Sequence, residues 1–247
     1  IIGGPADTVV TKWIEMRANE YLTAYCESEN FKRISVDNIE PTAQVPYDYK
    51  GLYVEELSEV INMEAIKAAG PKTLVDTLGG SGASYWKAIK ERYGLDLTII
   101  HDEYDPTFSF MTYDHDGKVR MDCSSPYVME SVINRIGDFD LAVGNDPDYD
   151  RYGIVVSSGL VSANSFLTMA ARYLFTTRGW KNKGIGKTVV CTTMIDKWAA
   201  SVEIPVFEVP VGFKYFSQLL FDGVIGIGGE ESAGASFLKK DGTVWTT

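Results

Sequence analysis

The sequence predicts an α/β protein in which two tandem domains each hold a mixed, mainly parallel sheet with flanking helices. Three observations predict it. From about residue 73 to 143, and again from 153 to 227, short apolar runs of strand length alternate with helical patterns, the order expected of parallel sheets with crossover helices. Loops rich in Gly or Asp follow several of the predicted strands, where open α/β sheets place their ligands. The composition, 45% hydrophobic and 23% charged over 247 residues, is that of a globular chain and excludes collagen-like or disordered readings.

The elements follow in order. Asp7 is placed to cap a helix over residues 8–25, in which Ile14, Ala18, Tyr21, Leu22 and Tyr25 recur at helical spacing. A polar stretch with Pro41 and Pro46 reads as a linker. A second helical pattern carries Leu57, Val60, Ile61 and Ile66 and stops at Gly70. A strand is predicted over 73–76, a helix over 81–93 closed by Gly94, and a strand over 95–100. Residues 112–120 turn at Asp116-Gly117. A helix over 128–136 leads to a strand over 140–143, and a strand over 153–156 leads to a helix with Phe166, Met169, Ala170, Tyr173 and Leu174 on one face. The order then repeats, with strands over 188–191, 206–209 and 224–227 separated by helices from about 195 and from 213 to 221. Two domains dividing near 155–165 account for this pattern.

Charge and cysteine content narrow the function classes. With 23 basic against 34 acidic residues the net charge is −11, which argues against a general electrostatic grip on nucleic acid or on an anionic membrane and favours a small-molecule or protein partner. No apolar run reaches the roughly 18 residues of a bilayer span, and no signal peptide is visible; a cytoplasmic protein is expected. Cys26, Cys123 and Cys191 are read as free, buried thiols of a reducing compartment. The opening Ile1-Ile2-Gly3-Gly4 is similar to the start of an activated chymotrypsin-like protease. That reading fails, because neither His101 nor His115 sits in a triad setting.

Three segments carry chemistry. Asn145-Asp146-Pro147-Asp148-Tyr149-Asp150-Arg151 follows a predicted strand. Carboxylates at i, i+2 and i+4 of an extended segment project to one side and offer hard oxygen ligands suited to Mg²⁺; the competing reading is a solvated acidic turn. An EF-hand loop counted from Asp146 fails at its sixth and twelfth positions, Arg151 and Ser157. A haloacid-dehalogenase-type phosphatase, with Asp146 as nucleophile and Asp148 as acid, stays as a minor alternative, since Asp150 stands where Thr or Val is usual. Gly228-Gly229-Glu230-Glu231-Ser232-Ala233-Gly234 combines close-approach glycines with an acceptor and a two-way hydroxyl suited to sugar hydroxyls, or is a glycine-rich turn. In Glu208-Val209-Pro210-Val211-Gly212-Phe213-Lys214, Lys214 near a helix N-terminus can meet an anion or be an ordinary surface lysine. Gly184-Ile185-Gly186-Lys187-Thr188 ends like a P-loop but lacks its first glycine, and Gly226-Ile227-Gly228 lacks the third glycine of a dinucleotide fingerprint.

These three motifs, in this order and spacing, resemble the α-D-phosphohexomutase superfamily, most closely its bacterial phosphoglucomutase branch. Gly79-Gly80-Ser81-Gly82, the stretch from Arg120 to Ser125, and Asp241-Gly242-Thr243 with Trp245 match as well, so the resemblance covers essentially the whole chain. It implies a four-domain enzyme that interconverts glucose 1-phosphate and glucose 6-phosphate through a phosphoserine and a glucose 1,6-bisphosphate intermediate. It implies Mg²⁺ held by Asp146, Asp148 and Asp150, a donor fork from Arg151, sugar hydroxyls bound by Glu230 and Ser232, and a cleft position for Gly212 and Lys214. Val211 departs from the Thr found there in many relatives. The family's phosphoserine lies in a Thr-x-Ser-His-Asn-Pro loop, and no Ser-His pair occurs in this chain. The resemblance therefore implies a central fragment, inactive alone, with residues 1–48 as the tail of a first domain, 49–157 as a second and 158–247 as an incomplete third. The alternatives are a mutase for mannose or glucosamine phosphates and a non-catalytic sugar-phosphate-binding truncation.

Overall fold

The computed structural model describes residues 5–27 and 35–245. Helix α1 (Thr8–Glu27) starts where predicted, the Asp7 carboxylate accepting the backbone N–H groups of Val9 and Val10 at 2.8 and 3.1 Å. Its apolar residues are exposed, Trp13 and Leu22 each at 60%. The second helical pattern is two helices, α2 (Tyr49–Val60) and α3 (Met63–Ala69), because Ile61 is extended and Asn62 recaps the chain by accepting from the Ala65 N–H. Gly70 ends α3 at φ +59°.

The first sheet contains β1 (Thr73–Asp76), β2 (Leu97–Ile100), β3 (Leu141–Asn145), β4 (Tyr152–Val156) and β5 (Gly159–Val161), in the order β2-β1-β3-β4-β5. Strands β2, β1 and β3 run parallel, whereas β4 and β5 are antiparallel additions. Helices α4 (Ala83–Tyr93) and α5 (Glu130–Ile133) accompany this sheet. Leu74, Leu78, Met129, Val132, Ala142 and Val155 form its buried core. The α5 helix is shorter than the expected 128–136, with a separate 3₁₀ turn over Ile136–Asp138. The short hairpin strand β5 carries the sheet to Val161, past the expected division at 157/158.

The second sheet contains β6 (Gly184–Thr188), β7 (Val206–Val209), β8 (Ile225–Gly229) and β9 (Ala235–Phe237), ordered β7-β6-β8-β9 with only β9 antiparallel. Helices α6 (Ala163–Arg178), α7 (Met194–Ser201) and α8 (Lys214–Phe221) flank it around Leu167, Ala171, Ile185, Ile195, Ile227 and Leu238. Two expectations are corrected here. The strand predicted over 188–191 is at 184–188, while Val189 and Val190 sit in an exposed turn. Its packing positions are glycines: a Cβ at Gly186 or at Gly228 would come within 2.9 or 2.8 Å of Phe216 Cδ1, so the ring lies directly on the backbone of both strands. The buried face of α6 is Leu167, Thr168, Ala171 and Leu174, with Met169 and Tyr173 exposed. The two sheets are thus mixed and helix-flanked as predicted.

Candidate functional site

The carboxyl end of β3 runs into the acidic loop. Asp146 is buried, and both its oxygens are taken by Arg151: Oδ1 accepts the backbone N–H at 2.9 Å and Oδ2 accepts Nε–H at 3.0 Å. Asp148 and Asp150 are exposed, yet one oxygen from each of Asp146, Asp148 and Asp150 lies within 4.8 Å of the others. The convergence comes from a turn and not from the extended run expected. The Tyr149 N–H donates to the Asp146 carbonyl at 3.0 Å, and Tyr149 itself stands at φ +65°, a left-handed conformation that costs a non-glycine residue roughly 1–2 kcal/mol. Three carboxylates whose oxygens converge on one point are the donor set that Mg²⁺ takes, and each Asp146 oxygen keeps a lone pair beyond the one Arg151 occupies, so the residues present fit the cation.

Arg151 is the counterweight. Its Nε lies 3.6 Å from Asp150 and its Nη1 lies 3.7 Å from Asp122. Burial works against the guanidinium charge, but the hydrogen bond and charge of Asp146 outweigh it and hold the pKa above its usual range. Behind the loop, burial above all pushes the Cys123 thiol up to about 12. Cys123 and Cys191 are both free and buried; the side chain of Cys26 and the opening residues 1–4 lie outside the described residues.

A further loop, 79–82, supports the acidic one. Gly80 and Gly82 face the Pro147 backbone and the Tyr149 ring, and the Ser81 N–H donates to the Pro147 carbonyl at 2.8 Å. Sequence matching picked out this loop without giving it a role; the paired glycines were the available signal. His101, directly after β2, packs on Phe110 and pairs with buried Asp76 at 2.8 Å.

The glycine-rich loop after β8 is built around Glu230. Its side chain is buried, Oε1 accepting the Gly212 N–H at 2.7 Å and Oε2 accepting the Ser232 hydroxyl at 3.2 Å. Gly212 stands at φ +131°, which opens its N–H toward Glu230. Gly212, Glu230 and Ser232 are thus brought together. Lys214 is not joined to them: its ammonium donates to the Thr8 hydroxyl of α1 at 3.0 Å and lies 5.2 Å above the Tyr215 ring. Neighbouring Glu231 accepts from Thr188 at the end of β6 at 3.1 Å, a partner that sequence reasoning missed. The two loops meet directly, because the Tyr152 N–H donates to the Ala233 carbonyl at 3.2 Å.

Residues 52–159 match the family description "Phosphoglucomutase/phosphomannomutase, alpha/beta/alpha domain II", and residues 162–246 match domain III of the same family. A phosphoglucomutase of Komagataeibacter xylinus is 46% identical over 99% of this chain and 44% of its own length. Phosphoglucomutase 1 of Saccharomyces cerevisiae is 26% identical over 98% of this chain and 45% of its own. The chain therefore spans about half the length of the curated relatives it matches. Among solved structures, a putative phosphomannomutase from Thermus thermophilus superposes with a TM-score of 0.66 at 24% identity over 77% of this chain and 43% of that one. An Aspergillus fumigatus N-acetylphosphoglucosamine mutase, solved with GlcNAc-6P and magnesium, gives 0.54 at 18% identity over 81% and 44%. Two consecutive domain matches, in the order that the two sheets occupy, place the chain: it belongs to the phosphoglucomutase/phosphomannomutase family.

Proposed function

We propose that the protein is an isomerase, a phosphoglucomutase that interconverts glucose 1-phosphate and glucose 6-phosphate by intramolecular phosphotransfer through a phosphoserine and glucose 1,6-bisphosphate. The observation that carries this reading is the joining of two unlike loops, three converging carboxylates and a Glu-Ser pair, through the Tyr152 to Ala233 hydrogen bond. The 46% identity to a relative named phosphoglucomutase supports the choice of glucose. In the same reading the protein is cytoplasmic and binds sugar phosphates, with no nucleic-acid or membrane partner. Residues 1–48 are the tail of a first domain, those from 49 through the end of β5 at Val161 a second, and those beyond it part of a third.

Each residue has a distinct task. Asp146, Asp148 and Asp150 hold Mg²⁺, which supplies positive charge against the transferring phosphoryl group. Arg151, kept rigid by both oxygens of Asp146, presents its remaining N–H groups as a fixed donor fork to phosphate oxygens. Glu230 accepts from sugar hydroxyls, and Ser232, able both to donate and to accept, serves the sugar in either orientation, as exchange of the phosphorylated end requires. The Gly212 N–H holds the Glu230 carboxylate in place. Lys214 offers an ammonium to an anionic group once its bond to Thr8 gives way.

Because the chain holds no Ser-His pair, the 247 residues alone are expected to give no turnover. A protein extended to the length of its relatives is expected to convert glucose 1-phosphate in a coupled dehydrogenase assay, to lose activity with EDTA, and to regain it with Mg²⁺. Turnover by the 247 residues alone, or faster conversion of mannose or glucosamine phosphate than of glucose phosphate by the longer protein, overturns the assignment.

A further inference from the structure

We propose that Tyr149 is a positioning residue for the metal loop: its ring, seated in the slot left open by Gly80 and Gly82, fixes the turn that brings Asp148 and Asp150 to Asp146. The proposal rests on the Mg²⁺ reading of the three carboxylates.

Tyr149 lies between two of the three carboxylates, in a left-handed conformation that the backbone of a tyrosine does not choose for itself. Something outside the loop must hold it there. Its ring covers Gly82 closely enough that a Cβ there would stand 2.7 Å from the ring Cζ, and a Cβ at Gly80 would stand 2.9 Å from Cε2 and 2.6 Å from the Pro147 Cα. Only a backbone without side chains admits the ring at this depth. Two polar links fasten the same contact, the Ser81 N–H to the Pro147 carbonyl at 2.8 Å and the Tyr149 hydroxyl to the Thr77 carbonyl at 3.3 Å. The slot is anchored in the first sheet at its leading end, since Thr77 follows β1 directly and also donates its hydroxyl to the His101 carbonyl after β2 at 2.5 Å, and at its other end it runs into α4.

The sheet, the glycine slot and the ring therefore form a chain of contacts ending between Asp148 and Asp150. A residue with no side chain at 149 would satisfy the backbone without strain but leave the loop unfastened. Affinity for the cation separates the two roles: a residue that merely fits its backbone is replaced by Gly at no cost to metal binding, whereas a positioning residue is not.

The test titrates Mg²⁺ alone into the 247-residue chain by isothermal calorimetry, with melting curves for each variant. Tyr149→Gly and Gly82→Ala are each expected to weaken binding by about tenfold or more, the loss typical of a supporting residue behind metal ligands. Tyr149→Phe, which keeps the ring, is expected to restore binding to within about twofold of the unmodified chain, because only the long hydroxyl contact is lost. Where Tyr149→Gly melts too low to titrate, Tyr149→Leu fills part of the slot and is expected to show an intermediate loss. Asp148→Asn controls for the reading beneath. Absence of saturable binding in the unmodified chain, or binding untouched by Asp148→Asn, overturns the metal reading and this proposal with it. Binding abolished by Asp148→Asn but unchanged in the Gly82→Ala and Tyr149→Gly or Tyr149→Leu variants overturns the proposal alone.

Discussion

Asp105 shows how much a single half-buried carboxylate can organise. It accepts four hydrogen bonds, from the backbone N–H and hydroxyl of Thr107 at 2.8 and 2.6 Å and from those of Ser109 at 2.9 and 2.6 Å, and so closes the loop after β2. The Ser109 hydroxyl first, then Thr107, hold its carboxyl well below the usual range. A depressed folded-state pKa stabilises above the unfolded value of about 4 and is lost as pH falls from there through the folded value. Asp105→Asn is therefore expected to melt lower than the parent at neutral pH, with the gap shrinking below about pH 4; thermal melts from about pH 2 to 7 check it, and a constant gap would contradict it. The metal-ligand candidates were legible as residues because alternating Asp after a strand is a local pattern. Tyr149 was not, since a left-handed φ leaves no periodic trace and the slot that receives its ring belongs to another loop.

At the scale of elements, periodicity placed strands whose packing side chains are their own. It succeeded for β1 and β7, where Thr73–Asp76 and Val206–Val209 carry apolar residues in the strand itself. It failed for β6, whose Gly184, Gly186 and neighbours look like a loop until Phe207 and Phe216 are laid over them. Ile185 is the one large apolar side chain that β6 itself puts into the core; on its other face the apolar material comes from Phe207 and Phe216 of other elements. Gly228→Ala is expected to destabilise by about 1–3 kcal/mol, because a Cβ 2.7 Å from Phe216 Cγ overpacks a rigid contact. Urea denaturation monitored by circular dichroism measures this, and a change below about 0.5 kcal/mol would show that Phe216 can yield. Strands β5 and β9, at three residues each, are too short to stand out as a pattern and are placed by pairing with β4 and β8 and by packing of Leu160, Ala235 and Phe237 on the cores.

At the scale of the molecule, the second sheet is fastened to helix α2 of the first at several points. Arg178, the last residue of α6, donates to the Leu238 carbonyl at 2.5 Å and to the Val60 carbonyl, with its guanidinium 5.2 Å from the Trp180 ring centroid and 5.5 Å from that of Phe237. Trp245 stacks on Tyr53 at 4.9 Å and donates to Glu56 at 2.9 Å, and the Lys240 N–H donates to the Glu59 carbonyl at 2.9 Å. Burial pulls the Arg178 guanidinium below its usual pKa range. Arg178→Met, which keeps the apolar stem but strands two carbonyls, is expected to cost about 1–3 kcal/mol. The parent is expected to melt in one calorimetric transition and the variant in two, with the second sheet melting first. A single, unbroken transition in Arg178→Met would show that Trp245 and Lys240 suffice.

The bond from the Tyr152 N–H to the Ala233 carbonyl belongs to the same scale but acts at the other end of the sheets. It joins the start of β4, one residue after Arg151, to the turn at Ala233, one residue after Ser232. Together with the α2 fastening it gives the two sheets two separate points of attachment, so a swing about either one is opposed by the other. The acidic loop and the Glu230 loop therefore keep their spacing when either sheet moves, as two marks ruled on one block.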